Sequence, residues 1–381
     1  MSQWLNHVLE RASTVDDWLS PVRAQALDTL KQQQWPTRRT EAWRYTSLHP
    51  VADLELKSGT GNATAEAPVI EGLNSLDLVF VDGQLSTDIS KLKLPEGITI
   101  SELSAPSEPA EAIFAQVKPS RHLFGLVNDV LAQQGVVIDI AAGAKVEQPI
   151  RIVNFASAGI ESHQRTLVRV GENAQATIIE HGSGSGNSLN TVFAEYDIAE
   201  KARLEHYRFA LHEGEAIHIG GSHFKLHDHA RLNSTLIGYG SQLTRLDVDI
   251  EHAGEHAFAK FNNVYLLAPR QHFDLHSTIE HASPNGTTEE NARGIIGDRA
   301  KAVFNGRIHI HRHAQKTLAE LNNRNLLLTR GAQINTKPEL EIYADDVQCA
   351  HGATVAEIEE EALYYMLTRG IDRQQALVML N

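Results

Sequence analysis

The sequence predicts a mainly β protein, a β-helix-like solenoid with helical regions at both ends, and three observations carry that prediction. From about residue 135, alternating apolar residues dominate for roughly 200 residues without a helical stripe. A phrase also recurs: "VIDIAAGAKV" (137–146), "VRVGENAQAT" (168–177), "YDIAEKARLE" (196–205), "FKLHDHARLN" (224–233), "IHIHRHAQKT" (308–317) and "LLLTRGAQIN" (326–335) share an apolar, any, apolar strand end, three polar or turn residues, then alanine. Finally, the alanines at 144, 174, 202 and 230 lie 30, 28 and 28 residues apart. In a coiled sheet each rung buries its apolar face only against the next, so a small residue at a fixed period is structural: bulk there would push the rungs apart.

Four regions follow in order. Residues 1–56 form an N-terminal helical region: Trp4, Leu5, Val8, Leu9 and Ala12, then Val15, Trp18, Leu19, Val22 and Leu30, keep helical spacing, with Pro21 interrupting or restarting the helix. Residues 57–120 read as linker and short strands, with a loop in "KSGTGNATAEAPVIEG" (57–72), strands in "LDLVFVDGQL" and "GITISEL", and a second connection at 104–120. Residues 121–348 are the β-helix core. Residues 349–381 are a C-terminal helical region, expected to be incomplete, with glutamates 357 and 359–361 in the first turns, Arg369 in the last, Gly370 beyond and Asp372 opening a short second helix.

Composition narrows the function. A formal charge of −14 repels phosphate backbones and no Lys/Arg cluster offers an exception, so neither nucleic acid nor an anionic membrane is an expected partner. The amino end has no unbroken apolar run, which fits a cytoplasmic protein. One cysteine excludes an internal disulfide, and it cannot hold a four-thiolate iron–sulfur cluster alone. The 20 histidines are the compositional oddity.

Candidate sites are weighed in turn. His309, His311 and His313 in "HIHRH" fall on one strand face and could hold a borderline metal, but the phrase sits at a repeat turn and is read as solvated; "HDH" (227–229) is read likewise. "GSGSGNS" (182–188) lacks the P-loop and dinucleotide patterns and is a surface loop. "AEYDIAEK" and "TTEEN" offer carboxylates to a β-helix carbohydrate-active enzyme, on fold analogy alone, and are read as solvated. Trp43, Arg44 and Tyr45 are read as packing. There remains "DDVQCAHGATV" (345–355), where Cys349 and His351 point the same way, about 6.5 Å apart at Cα. They read as half a metal site, a nucleophile with its base, or a small hydrophobe beside an abrupt strand exit at "GAT".

The stretch "LNNRNLLLTRGAQINTKPELEIYADDVQCAHGATVAEIEEEALYYMLTRGI", with "WPTRRTEAWRYTSL" (35–48) and "LFGLVNDVLAQQGVVIDIAAGAKVEQPI" (123–150), resembles the SufB/SufD family of iron–sulfur cluster assembly proteins, on its SufD side. The resemblance implies a right-handed parallel β-helix, pairing with a SufB subunit, and SufC ATPase subunits bound through the C-terminal helices. It implies that Cys349 and His351 match the family's Asp-Asp-Val-x-Cys-x-His-Gly-Ala-Thr motif, with His351 facing a SufB cysteine where a transient iron–sulfur cluster is built. The expectation is therefore a non-enzymatic scaffold with no cofactor of its own, a homodimer when alone. The rivals are the carbohydrate-active enzyme and a purely structural homodimer.

Overall fold

Helix formation at the amino end follows local chemistry. In the computed structural model, which describes residues 2–59 and 65–380, the Ser2 side chain accepts the Leu5 amide and opens α1 (Gln3–Ala12), which buries Trp4, Leu5, Val8 and Ala12. Pro21 stands in the first turn of α2 (Ser20–Gln32), where its missing N–H costs nothing, so it restarts the helix. Then come α3 (His49–Ala52), β1 (Lys57–Ser58), β2 (Leu76–Val81), β3 (Gln84–Leu85), β4 (Ile98–Glu102), α4 (Glu108–Ile113) and α5 (Leu123–Leu131). The coil strands are β5 (Gln134–Ile140), β6 (Ile150–Phe155), β7 (Ile160–Val170), β8 (Gln175–Gly184), β9 (Ser188–Ile198), β10 (Arg203–His212), β11 (Ala216–Leu226), β12 (Arg231–Tyr239), β13 (Leu243–His252), β14 (Phe258–Leu267), β15 (His272–His281), β16 (Thr287–Ile296), β17 (Lys301–Ile310), β18 (Thr317–Leu327), β19 (Gln333–Ile342) and β20 (Val347–Glu357), before α6 (Glu360–Thr368) and α7 (Arg373–Leu380).

Two facing sheets make a parallel solenoid of about 8 turns. Odd-numbered strands from β19 down to β5 lie side by side and end on β4; even-numbered strands from β20 down to β6 end on β2 and β3. Two sequence boundaries move. Within 57–120, β2 extends one sheet in parallel with β6 and β4 extends the other antiparallel to β5, so this region is built into the coil's first end. Residues 60–64 of the expected loop lie outside the described residues. At the far end β20 runs to Glu357, past the limit of 348, because its backbone continues to pair with β18; Glu357 is therefore in a strand, and helix begins at Glu360. Gly370 at φ +79° and the Asp372 side chain, which accepts the Gln374 and Gln375 amides, end one helix and open the next as expected.

The alanine phrase is the coil's corner. Asn173, Lys201, His229 and His256 each adopt φ near +57°, the left-handed region, immediately before Ala174, Ala202, Ala230 and Ala257. Each left-handed residue donates its amide to the next turn, Asn173 to the Glu200 carbonyl, Lys201 to Asp228 and His229 to Glu255. That ladder bond offsets the cost of about 1 kcal/mol for a non-glycine in this conformation. The alanines after them are fully buried.

Inside, like stacks on like. In parallel register, Ile138, Val168, Tyr196, Phe224, Ile250, Ile279, Ile308 and Leu340 form one ladder along the first sheet, about 4.8 Å per rung. The opposite sheet carries polar side chains on its interior ladder, and they are paired. Glu180 accepts hydrogen bonds from Tyr196, His206 and Ser222 on one oxygen and from Arg208 on the other. Burial alone would raise its carboxyl, but Arg208 and these bonds hold it at about 2. Among the described residues Glu290 has Ser277 as its one hydrogen-bond partner, at 2.6 Å, and burial pushes its carboxyl up to about 7.

Outside, α1, α5 and the turn at Trp43 cover the first sheet, with Trp4, Trp43 and Phe124 packed on Leu189, Phe193, Ile217 and Leu243. The Arg245 guanidinium lies 4.0 Å over the Trp43 ring. Trp43 is packing, as expected, while Arg44 and Tyr45 stay exposed.

Two outcomes follow. Ala230→Leu overfills a closed corner and should lower stability by about 1–3 kcal/mol in urea unfolding. Because Glu290 holds its proton more tightly in the folded chain than its ordinary value of 4.5 allows, the stability from that proton is complete below pH 4.5 and is lost as pH rises through about 7. Glu290→Gln should therefore be nearly neutral at pH 4.5 and stabilising by on the order of 2 kcal/mol at pH 8, read from paired unfolding curves.

Candidate functional site

Parallel register assigns Cys349 and His351 their places. On β20, Cys349 pairs with Ala319 and His351 with Leu321, both fully buried residues of β18 that face the coil interior. Followed inward, the His351 ladder runs through Leu321, Glu290, Phe261, Ser234 and His206; the Cys349 ladder runs through Ala319, Thr288, Ala259 and Leu232. Both residues thus occupy interior positions on the outermost rung. With no further turn over them, Cys349 is half-buried and His351 exposed. The expected strand exit at "GAT" is corrected here: Gly352, Ala353 and Thr354 pair in register with Asn322, Asn323 and Arg324, so the strand continues.

The environment bears on the three readings of the motif. Burial raises the Cys349 thiol, a backbone hydrogen bond at Ala319 only tempers that, and no imidazole acts on it. A thiol so held is not an activated nucleophile. It packs against the interior cluster as a small apolar residue would, yet its ladder ends in solvent. As ligands, Cys349 and His351 belong to neither three-donor group found among the described residues. Among the described residues, Cys349 and His351 bring two donor types to this interior rung and no third joins them.

Their surroundings are unfinished. β19 and β20 are the last strands of their sheets, and Ile342, Tyr343 and Val355 are exposed on or beside them. Beyond, α6 and α7 bury only Leu363 and Ala376 and expose Tyr364, Tyr365, Leu367, Val378 and Met379, an apolar surface of the kind that marks a contact site. No helix of the described residues is long and apolar enough to cross a membrane.

The other candidates fall differently. His309 pairs with Glu341 at 2.8 Å and His311 with Glu280 at 2.5 Å, and donor atoms of Glu280, His309 and His311 lie within 4.8 Å of one another. Two histidines of "HIHRH" therefore converge where solvated turn residues were expected; His313 stays apart and exposed. In "HDH", His227 bonds Asp197 and His229 stacks on His256, as turn residues. "GSGSGNS" is no loose loop: Gly182 and Gly184 end β8, and a Cβ at Gly182 would come within 2.8 Å of the His212 ring inside the coil. Nor are the carboxylates of "AEYDIAEK" and "TTEEN" all solvated. Glu195 is fully buried and accepts the Ala115, Val117 and Lys118 amides, and Glu290 faces the interior, so neither lines a sugar-binding cleft.

Sequence reasoning missed the interior polar set, Glu180, His206, Arg208, His218 and Ser222, and the stacked pairs His212–His218 and His252–His281. Strand alternation was the available signal: in "LEHYRFALH", Leu204, His206, Arg208, Ala210 and His212 share one face.

With this geometry in place, comparison with known proteins is specific. A family described as the SufBD core domain of SUF system FeS cluster assembly matches residues 153–381, and the SufBD protein N-terminal region matches residues 6–152. The chain is 30% identical to the iron–sulfur cluster assembly protein SufD of Escherichia coli, over 100% of this chain and 90% of that protein. It is also 30% identical to an iron–sulfur cluster assembly SufBD family protein of Synechocystis, over 97% of this chain and 86% of that one. The iron–sulfur cluster assembly protein SufB of Bacillus subtilis matches at 22% identity over 75% of this chain and 63% of its own length. A solenoid whose last rung carries the Cys-x-His pair, matched end to end by both family regions, belongs to the SufBD family of iron–sulfur cluster assembly proteins and is SufD-like.

Proposed function

We propose that this chain is a non-enzymatic, cytoplasmic scaffold subunit that pairs with a SufB subunit through its open coil end, carries SufC ATPase subunits on α6 and α7, and contributes His351, with Cys349 beside it, to a site where an iron–sulfur cluster is assembled between subunits. The observation that carries this reading is the outermost rung: two metal-binding side chain types at interior positions, on an edge strand that another β-strand can cover. Unpaired edges recruit partners, and a partner continuing the coil would bring its own donors over Cys349 and His351. The cluster is cargo, and the missing ligands come from the partner, since one thiol cannot supply the usual four.

Alone, the chain is expected to be a homodimer joined through the β19 and β20 edges and to stay colourless after anaerobic reconstitution with iron and sulfide. A monodisperse monomer in light scattering would refute the first expectation, and a stoichiometric cluster on such a monomer the second.

In the complex, His351→Ala should leave pairing and thermal stability within about 0.5 kcal/mol, because an exposed side chain contributes little burial, while bound iron and sulfide fall to background. Cys349→Ala should reduce cluster content less, its thiol being half-buried and neutral. Metal and sulfide analysis of the three complexes, beside their melting curves, is the check; cluster content in His351→Ala equal to wild type would end the proposal.

A further inference from the structure

On the outer face of the first sheet, far along the chain from the coil's open end, His223 of β11 and Asp249 of β13 are direct register partners. His122, the residue that opens α5, reaches the same point from the helical layer. His122 Nε2 lies 2.7 Å and His223 Nδ1 2.8 Å from one atom, Asp249 Oδ2, and the three donor atoms fall within 4.8 Å of one another. The Arg121 guanidinium engages the other carboxylate oxygen and leaves Oδ2 to the two rings. Beside them is a cavity of about 100 Å³, lined also by Trp43, Arg245, Asp247 and His276.

With both rings neutral this arrangement is awkward, because a neutral imidazole has one N–H and each ring must commit it to the same oxygen; only a protonated His122 would escape the conflict, by donating to Asp249 and Asp247 at once. In the neutral ring His122 Nδ1 turns a bare lone pair toward the Asp247 carboxylate, 3.7 Å away. A cation removes the conflict, because three lone pairs converge on it and His122 Nδ1 keeps its proton for Asp247, the carboxylate–histidine–metal arrangement that orients ligating rings. His223 Nε2 has no partner in either case and does not discriminate.

We propose that His122, His223 and Asp249 bind one divalent transition-metal ion of the zinc and iron(II) class, with its open coordination positions facing the adjoining cavity. Two imidazoles and one carboxylate, with no sulfur, suit these borderline ions. Two of the ligands stand on adjacent strands and the third on a helix packed against the sheet, so the site is rigid.

The test uses the full chain, stripped with chelator, in a His309→Gln/His311→Gln background that silences the half-buried cluster at Glu280. Titration with Zn(II) by calorimetry and with Co(II) by visible absorption should give one equivalent, and Zn(II) should raise Tm. Asp249→Asn and His122→Gln should each weaken binding at least tenfold and abolish the Co(II) ligand-field bands; if Asp249→Asn fails to fold, the partly exposed His122→Gln still decides. Failure of the parent to bind, or equal affinity in a folded His122→Gln chain, would overturn the proposal. No readout involves a partner or a cluster, so this inference stands or falls separately from the assembly role.

Discussion

The rest of the structure depends on parallel register between successive turns, which sets every residue over its counterpart at about 4.8 Å. Each turn must then offer the next a surface of nearly the same shape, and the corners admit the least variation. Ala174, Ala202 and Ala230 are buried there, and the left-handed residues before them hand their amides to the following turn. Stability is correspondingly local: a turn is held chiefly by the two turns beside it.

That constraint also explains how a solenoid can carry charge inside. Register sets Arg208 beside Glu180 with His206 next to it, and Ser222 reaches the same carboxylate from the facing sheet, so it is fully satisfied. Glu290, one ladder step from Leu321 and two from His351, has a single partner and so prefers its neutral form. The column that ends at His351 runs from His206, hydrogen-bonded to Glu180, through the neutral acid Glu290 to an uncovered imidazole at the open end.

The architecture was legible in the sequence because its signal is periodic. Alternation and the spacing of Ala144, Ala174, Ala202 and Ala230 follow directly from stacking, and Pro21, Gly370 and Asp372 mark helix ends through backbone chemistry that needs no tertiary context. Legibility failed where long-range contact overrides local preference. Gly352, Ala353 and Thr354 look like a strand ending, yet β18 extends them. Glu195 and Glu290 look solvated until backbone amides and the coil interior enclose them. The motif around Cys349 was visible as a resemblance, but its place on an uncovered interior rung follows only from register. His122, His223 and Asp249 meet through pairing and helix docking that no spacing in the sequence encodes.

The two ends of the coil differ in a way that governs what it can build. At the first end, Leu85, Ile89, Leu92 and Leu94 pack against the interior cluster and β4 reverses strand direction, so that rung is plugged; β19 and β20 have no such plug among the described residues. In polymer terms the rod is monovalent. A bivalent solenoid with parallel edges at both ends would propagate into a fibre, whereas joining two monovalent rods consumes both free edges and terminates growth at a pair. An open edge with apolar residues beside it can thus persist without the aggregation that such edges ordinarily bring.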